Sequence, residues 1–167
     1  MKANHSEWVA LSFILQKKDG QVRFISGFRR LNKQIKRTPY TLPHIKYMLK
    51  KLSNFTYATT LDLIMGCYNI FLTDAAKKIC MITEPFRKYE YNHLTMGVFI
   101  APDIFQEQMS TLMDNLYFFI VYIDVFLIIT YGSFEENLCK VKEITKIPQL
   151  AGLKCKIDKC KFVIPKL

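Results

Sequence analysis

Tyr117-Phe118-Phe119-Ile120-Val121-Tyr122-Ile123-Asp124-Val125-Phe126-Leu127-Ile128-Ile129-Thr130 sets a single aspartate between two apolar runs. A carboxylate among β-branched and aromatic side chains is costly to desolvate unless it is paired or binds a metal. Two apolar runs meeting at Ile123-Asp124 predict a β-hairpin with Asp124 at its tip. Upstream, Tyr57-Ala58-Thr59-Thr60-Leu61-Asp62-Leu63 also reads as a strand, and Gly66 marks the turn after it. Should these strands be neighbours, Asp62 and Asp124 would converge and repel, and a divalent cation would relieve the repulsion. Aspartate oxygens suit Mg²⁺, which keeps positions for water and substrate phosphates, and such a ligand set serves phosphoryl transfer. A second reading is equally open on spacing alone: each aspartate caps a turn or satisfies a backbone amide.

Around this pair the predicted elements alternate in type, giving an α+β fold class. Phe13-Ile14-Leu15 and Val22-Arg23-Phe24-Ile25 form a hairpin through Asp19-Gly20, basic at its tip. Pro43 opens a short helix on which Ile45, Met48, Leu49 and Leu52 keep helical spacing, to about Ser53. A second hairpin joins Ile79–Thr83 to Tyr89–Tyr91. Pro102 opens a helix with an apolar stripe of Phe105, Met109, Leu112, Met113 and Leu116. Ser133-Phe134-Glu135-Glu136 is a capping box, and Ala151-Gly152 a stop signal. Pro148 lacks an N–H and should kink that helix or end it early. Two short strands, near Leu153–Ile157 and Lys161–Ile164, close the chain.

The totals narrow the function. With 24 Lys and Arg against 14 Asp and Glu, the net charge of +10 favours phosphate backbones over acidic partners. Five cysteines at irregular spacing make neither a disulfide framework nor a paired zinc motif, and suit reduced intracellular thiols. The polar start, Met1-Lys2-Ala3-Asn4-His5-Ser6-Glu7, lacks the apolar core of a signal peptide. The expected location is intracellular, cytoplasmic or nuclear, and not secreted. The run ending at Tyr131 is shorter than the roughly 20 residues a membrane span needs and carries Asp124 at its centre. No membrane association is expected.

Read together and in order, Lys17-Lys18-Asp19-Gly20, Val22-Arg23-Phe24-Ile25-Ser26-Gly27-Phe28-Arg29-Arg30-Leu31-Asn32-Lys33, Leu61-Asp62-Leu63, Lys88-Tyr89-Glu90-Tyr91, Met96-Gly97, Ala101-Pro102-Asp103-Ile104-Phe105-Gln106 and Tyr122-Ile123-Asp124 resemble the reverse transcriptases of gypsy-type retrotransposons and retroviruses. The resemblance covers nearly the whole chain. It implies a right-hand polymerase with fingers over about 1–36 and 71–100 and palm over about 37–70 and 101–167, the palm an antiparallel sheet packed on helices. The implied partners are an RNA or DNA template with its primer, and dNTPs. It implies Asp62 and Asp124 as catalytic residues that hold two Mg²⁺ ions (or Mn²⁺), with the Leu63 carbonyl as a further metal contact. It also implies nucleotide-binding roles for Lys17, Arg23, Cys67 and Met96.

The resemblance also exposes departures. Val125 stands where the family has the second aspartate of its Tyr-x-Asp-Asp hairpin, a lost ligand position. Cys67 replaces the aromatic gate against ribose. Gly27 and Arg30 replace acidic residues, and Ile100 replaces a polar one. Thumb, RNase H and integrase, neighbours of such a domain in polyproteins, are expected to be missing here. These departures predict a weakened polymerase or, alternatively, a catalytically dead nucleic-acid-binding relic.

Overall fold

The computed structural model describes residues 2–3, 8–18, 20–40, 55–113 and 118–165, so the helix expected after Pro43 lies outside the described residues. The chain divides into two compact units, Met1–Pro39 with Cys67–Pro102, and Tyr40–Gly66 with Asp103–Leu167.

The first unit is built on a five-stranded sheet of β1 (Lys2–Ala3), β2 (Ala10–Gln16), β3 (Val22–Ser26), β5 (Met81–Thr83) and β6 (Lys88–Glu90), in the order β1-β6-β5-β2-β3. Its β2–β3 hairpin turns where expected, with Gln16 opposite Val22. Lys17 N–H donates to the Gln21 carbonyl at 2.7 Å, and Gly20 takes φ of 80°, a conformation that favours glycine. The hairpin is apolar yet open: Phe13, Ile14, Leu15 and Val22 are all at least half exposed. Its base is buried through Ala10, Ser26 and the following Phe28, where the Ser26 and Tyr91 hydroxyls hydrogen-bond at 2.8 Å and the Phe28 ring meets Tyr91 edge-on. Two short helices, α1 (Arg29–Gln34) and α2 (Asp74–Ile79), flank the sheet sequence. Asn32, just inside α1, donates to the Gly97 carbonyl at 2.8 Å and accepts from Phe99 N–H at 2.9 Å. Gly97 has no substitute there, because its φ is 102° and a Cβ would meet the Ser26 carbonyl oxygen at 2.6 Å.

The second unit has a four-stranded antiparallel sheet, in which β4 (Tyr57–Asp62), β7 (Phe119–Tyr122), β8 (Val125–Thr130) and β9 (Lys161–Pro165) lie in the order β7-β8-β4-β9. Helices α3 (Ala101–Leu112) and α4 (Phe134–Leu150) complete it, and α4 packs against β4, β8 and β9. Leu61, Phe126, Ile128, Ile129 and Ile144 form a closed apolar core. The capping box is made in full, Ser133 Oγ accepting from Glu136 N–H and Glu136 Oε2 from Ser133 N–H. One turn on, Asn137 donates to Thr130 Oγ1 at 2.6 Å and ties α4 to β8.

Three expectations are corrected here. Leu112 is 40% exposed, since a stripe through Phe105, Met109 and Met113 drifts by about 40° every four residues and leaves Leu112 at its edge. Pro148 does not end α4 early; the helix runs to Leu150. Placed in the last turn, the proline removes a single hydrogen bond, while Ala151 N–H still reaches the Ile147 carbonyl at 3.0 Å and Gly152, at φ 72°, stops the helix. The strand expected at Leu153–Ile157 is reduced to one bridge, Cys155 opposite Leu63, because the chain turns at once into a 3₁₀ turn at Ile157–Lys159. In the pairing of β4 with β9 the register slips between Ala58 and Thr60, and Val163, at φ 48°, is held by its N–H to Thr59 Oγ1 at 2.9 Å.

Candidate active site

The hairpin quoted first forms in register, Tyr122 opposite Val125, with Ile123 and Asp124 as its two-residue tip. β8 lies beside β4, so Val125 faces Asp62 across the ladder, and Leu63 N–H donates to the Asp124 carbonyl at 2.8 Å. The two aspartates that the sequence singled out are therefore brought to one sheet end. Asp124 is half-buried, and its Oδ1 is fully buried with no hydrogen-bond partner among the described residues. Burial first, and then the neighbouring Asp62 charge, push the Asp124 carboxyl above the ordinary carboxylate range. The reading in which Asp124 merely satisfies a backbone amide leaves that oxygen unexplained.

The tip is a strained piece of backbone. Ile123 has φ of 52°, a region that β-branched residues rarely occupy. Gln106, fully buried on α3, holds it: Nε2 donates to the Val121 carbonyl at 3.0 Å and Oε1 accepts from Ile123 N–H at 2.9 Å. Below the tip, a Cβ on Gly66 would run into the Phe105 ring and lie 3.2 Å from Asp124 Oδ1. Gly66 is thus a packing requirement of the carboxylate as well as a turn residue. On the far side of β4, Asp62 N–H donates to Cys160 Sγ at 3.4 Å, and the Asp62 carbonyl accepts from Lys156 N–H at 2.8 Å.

Asp62, Leu63, Asp124 and Val125 all lie in the second unit, Val125 being 37% exposed. Lys17, Arg23, Cys67 and Met96 belong to the first. Arg23 pairs with Leu15, two residues before Lys17, so both cations fall on one face of the hairpin tip. Lys17 Nζ donates to Gln21 Oε1 at 3.1 Å, and Arg23 is exposed. Cys67 is buried in the 3₁₀ turn Gly66–Asn69, and Met96 is 40% exposed, too open for a core methionine. Gln106, Gly66 and Cys160 were not assigned site roles from sequence. For Gln106 a signal existed, an amide next to Phe105 on an otherwise apolar helical face.

Chemically, the second unit brings two carboxylates near enough for the charge of Asp62 to raise the Asp124 pKa, and carboxylate oxygens are hard donors that suit a divalent cation. Among the described residues no three or more His, Cys, Asp or Glu side chains are grouped to hold a metal, so the carboxylates number two. No helix among the described residues is long and apolar enough to cross a membrane.

The fold is that of the fingers and palm of a right-hand polymerase. The fold matches the foamy viral protease-reverse transcriptase in complex with double-stranded DNA, with a TM-score of 0.90 and 21% identity over 99% of this chain and 29% of that one. It also matches the prototype foamy virus protease-reverse transcriptase, with a TM-score of 0.87 and 22% identity over 96% of this chain and 22% of that one. Residues 15–166 match the family model described as reverse transcriptase (RNA-dependent DNA polymerase), and the chain belongs to that family. Among curated relatives it is 30% identical to a putative enzymatic polyprotein of Cassava vein mosaic virus, over 87% of this chain and 23% of the polyprotein. It is 29% identical to the retrovirus-related Pol polyprotein from transposon 297 of Drosophila melanogaster, over 84% of this chain and 13% of that protein. The chain therefore spans a quarter or less of the length of these two relatives.

Proposed function

We propose that this domain is built for template-directed transfer of dNTPs onto a primer, with Asp62, Asp124 and the Leu63 carbonyl as ligands for Mg²⁺ or Mn²⁺. The observation that carries the reading is the buried, unpartnered Asp124 Oδ1 beside a second carboxylate. When bound, the cations would supply charge neutralisation at the attacking and leaving oxygens of an in-line displacement. The chain's own residues do the rest. Gln106 and Gly66 fix where the Asp124 carboxylate stands, and Cys160 and Lys156 fix the Asp62 backbone. Lys17 and Arg23, on one face of an exposed hairpin tip, suit a triphosphate, which they would grip by charge. By the resemblance, Met96 would line the floor of the nucleotide pocket and Cys67 would take the ribose-gate position, where a thiol would exclude a 2′-hydroxyl less well than an aromatic ring.

Val125 weakens this machinery. It occupies the register partner of Asp62, where a third carboxylate would add to the cation site, and its methyl groups offer no ligand. Loss of an oriented neutral donor from a catalytic site costs on the order of 10²- to 10³-fold, and loss of an anion beside dications more. Primer extension with dNTPs and Mg²⁺ or Mn²⁺ tests the proposal. Weak cation-dependent extension that disappears in Asp124→Asn supports it, and extension unaffected by that change refutes it.

A second reading, a nucleic-acid-binding relic without catalysis, is favoured by the same Val125 together with the +10 charge. The foamy viral protease-reverse transcriptase has been solved with an RNA/DNA hybrid and with double-stranded DNA, and we extend that ligand class to this chain in either reading.

A further inference from the structure

Two cysteines of the second unit lie behind the proposed cation ligands, at the end of β4. Cys155 bridges Leu63, and Cys160 Sγ accepts the N–H of Asp62, so the two cysteines attach to consecutive residues where β4 ends. Between them the 3₁₀ turn Ile157–Lys159 folds the chain back, Cys160 N–H reaching the Lys156 carbonyl at 3.1 Å. Cys160 lies near enough to Cys155 to be among the causes, after burial, that raise the Cys155 thiol above its ordinary range, and both are partly exposed. A disulfide needs its two cysteines held side by side, and both are anchored here to neighbouring backbone residues, Leu63 and Asp62. The remaining cysteines do not share this placement: Cys67 and Cys80 are buried, and Cys139 is exposed on α4.

We propose that Cys155 and Cys160 are a redox pair that closes into a disulfide under a peroxide, acting on the backbone of Asp62 through Cys160 Sγ. One thiol sulfur attacks the O–O bond, giving a sulfenic acid and one water. The second sulfur then displaces the hydroxyl as another water, leaving the S–S bond. In balance, two thiols and one hydrogen peroxide give one disulfide and two waters; the sulfurs lose two electrons and the peroxide gains them. Closure draws Cys160 Sγ toward Cys155 and away from the Asp62 amide, whose hydrogen bond is then weakened.

The test is peptide mapping of the full chain after hydrogen peroxide treatment, with free thiols alkylated before digestion. The expected result is a peptide linked between Cys155 and Cys160, lighter by two hydrogens than the reduced pair, restored by dithiothreitol and absent in Cys155→Ser. Amide exchange at Asp62 should quicken several-fold in the oxidised chain and stay unchanged in peroxide-treated Cys155→Ser. Two outcomes overturn the proposal: both thiols still separately alkylated when Cys139 has already been oxidised, or a linked pair with no change in exchange at Asp62. Neither readout depends on polymerase activity.

Discussion

At the scale of single residues, the site turns on Asp124 and its neighbour. Because burial and the Asp62 charge raise the folded-state pKa of Asp124, the folded chain binds its proton more tightly than the unfolded chain does. The stability this group contributes is therefore present at acid pH and lost as pH rises from the ordinary carboxylate range through the raised pKa. Asp124→Asn should raise the thermal midpoint at neutral pH and flatten its dependence on pH below neutrality; a lower midpoint would show that the ionised carboxylate is stabilised by some other group. A bound dication reverses the sign, favouring the charged form, so Mg²⁺ should raise the midpoint of the native chain and leave that of Asp124→Asn unmoved. Gly66→Ala acts by contact rather than charge. The added Cβ would press on the Phe105 ring and crowd Asp124 Oδ1, and a loss of about 1–3 kcal/mol is expected in denaturant unfolding.

At the scale of elements, the hairpin of β7 and β8 depends on a helix it does not touch in sequence. Gln106→Leu keeps roughly the volume but leaves Ile123 N–H and the Val121 carbonyl without their partner, at a cost of about 1–3 kcal/mol per buried group. The strained tip should then relax, read as faster amide exchange at Ile123 with β4 protected as before. Equal exchange in the variant would mean the tip holds its shape by itself. Ser133→Ala removes the α4 cap and should cost about 1 kcal/mol. Much at this scale was legible beforehand. The β7–β8 tip, the β2–β3 hairpin and the capping box all rest on local chemistry, a two-residue turn, an Asp-Gly and a Ser three before a Glu. What could not be read depends on tertiary neighbours. Whether Leu112 is buried is decided by the drift of a stripe around its helix, and whether Leu153–Ile157 pairs fully is decided by the 3₁₀ turn that begins at Ile157. The role of Gln106 exists only because β7 lies against α3.

For the whole molecule, family and fold were legible because several motifs in one order constrain each other far more than one Asp-bearing strand does. The convergence of Asp62 with Asp124 needed β4 beside β8, which local pattern does not dictate. The net charge of +10 makes a further prediction at this scale. Affinity for an RNA/DNA hybrid should fall linearly as log Kd against log salt, and a flat response would contradict phosphate-backbone binding. The most direct test of the cation site is Mn²⁺ binding, followed by loss of the free-ion electron paramagnetic resonance signal, in the native chain, Asp124→Asn and Val125→Asp. The expected order is weak binding by the native chain, binding at least tenfold tighter with Val125→Asp, and none with Asp124→Asn. Equal Mn²⁺ affinity in all three would contradict the assignment of Asp62 and Asp124 as its ligands.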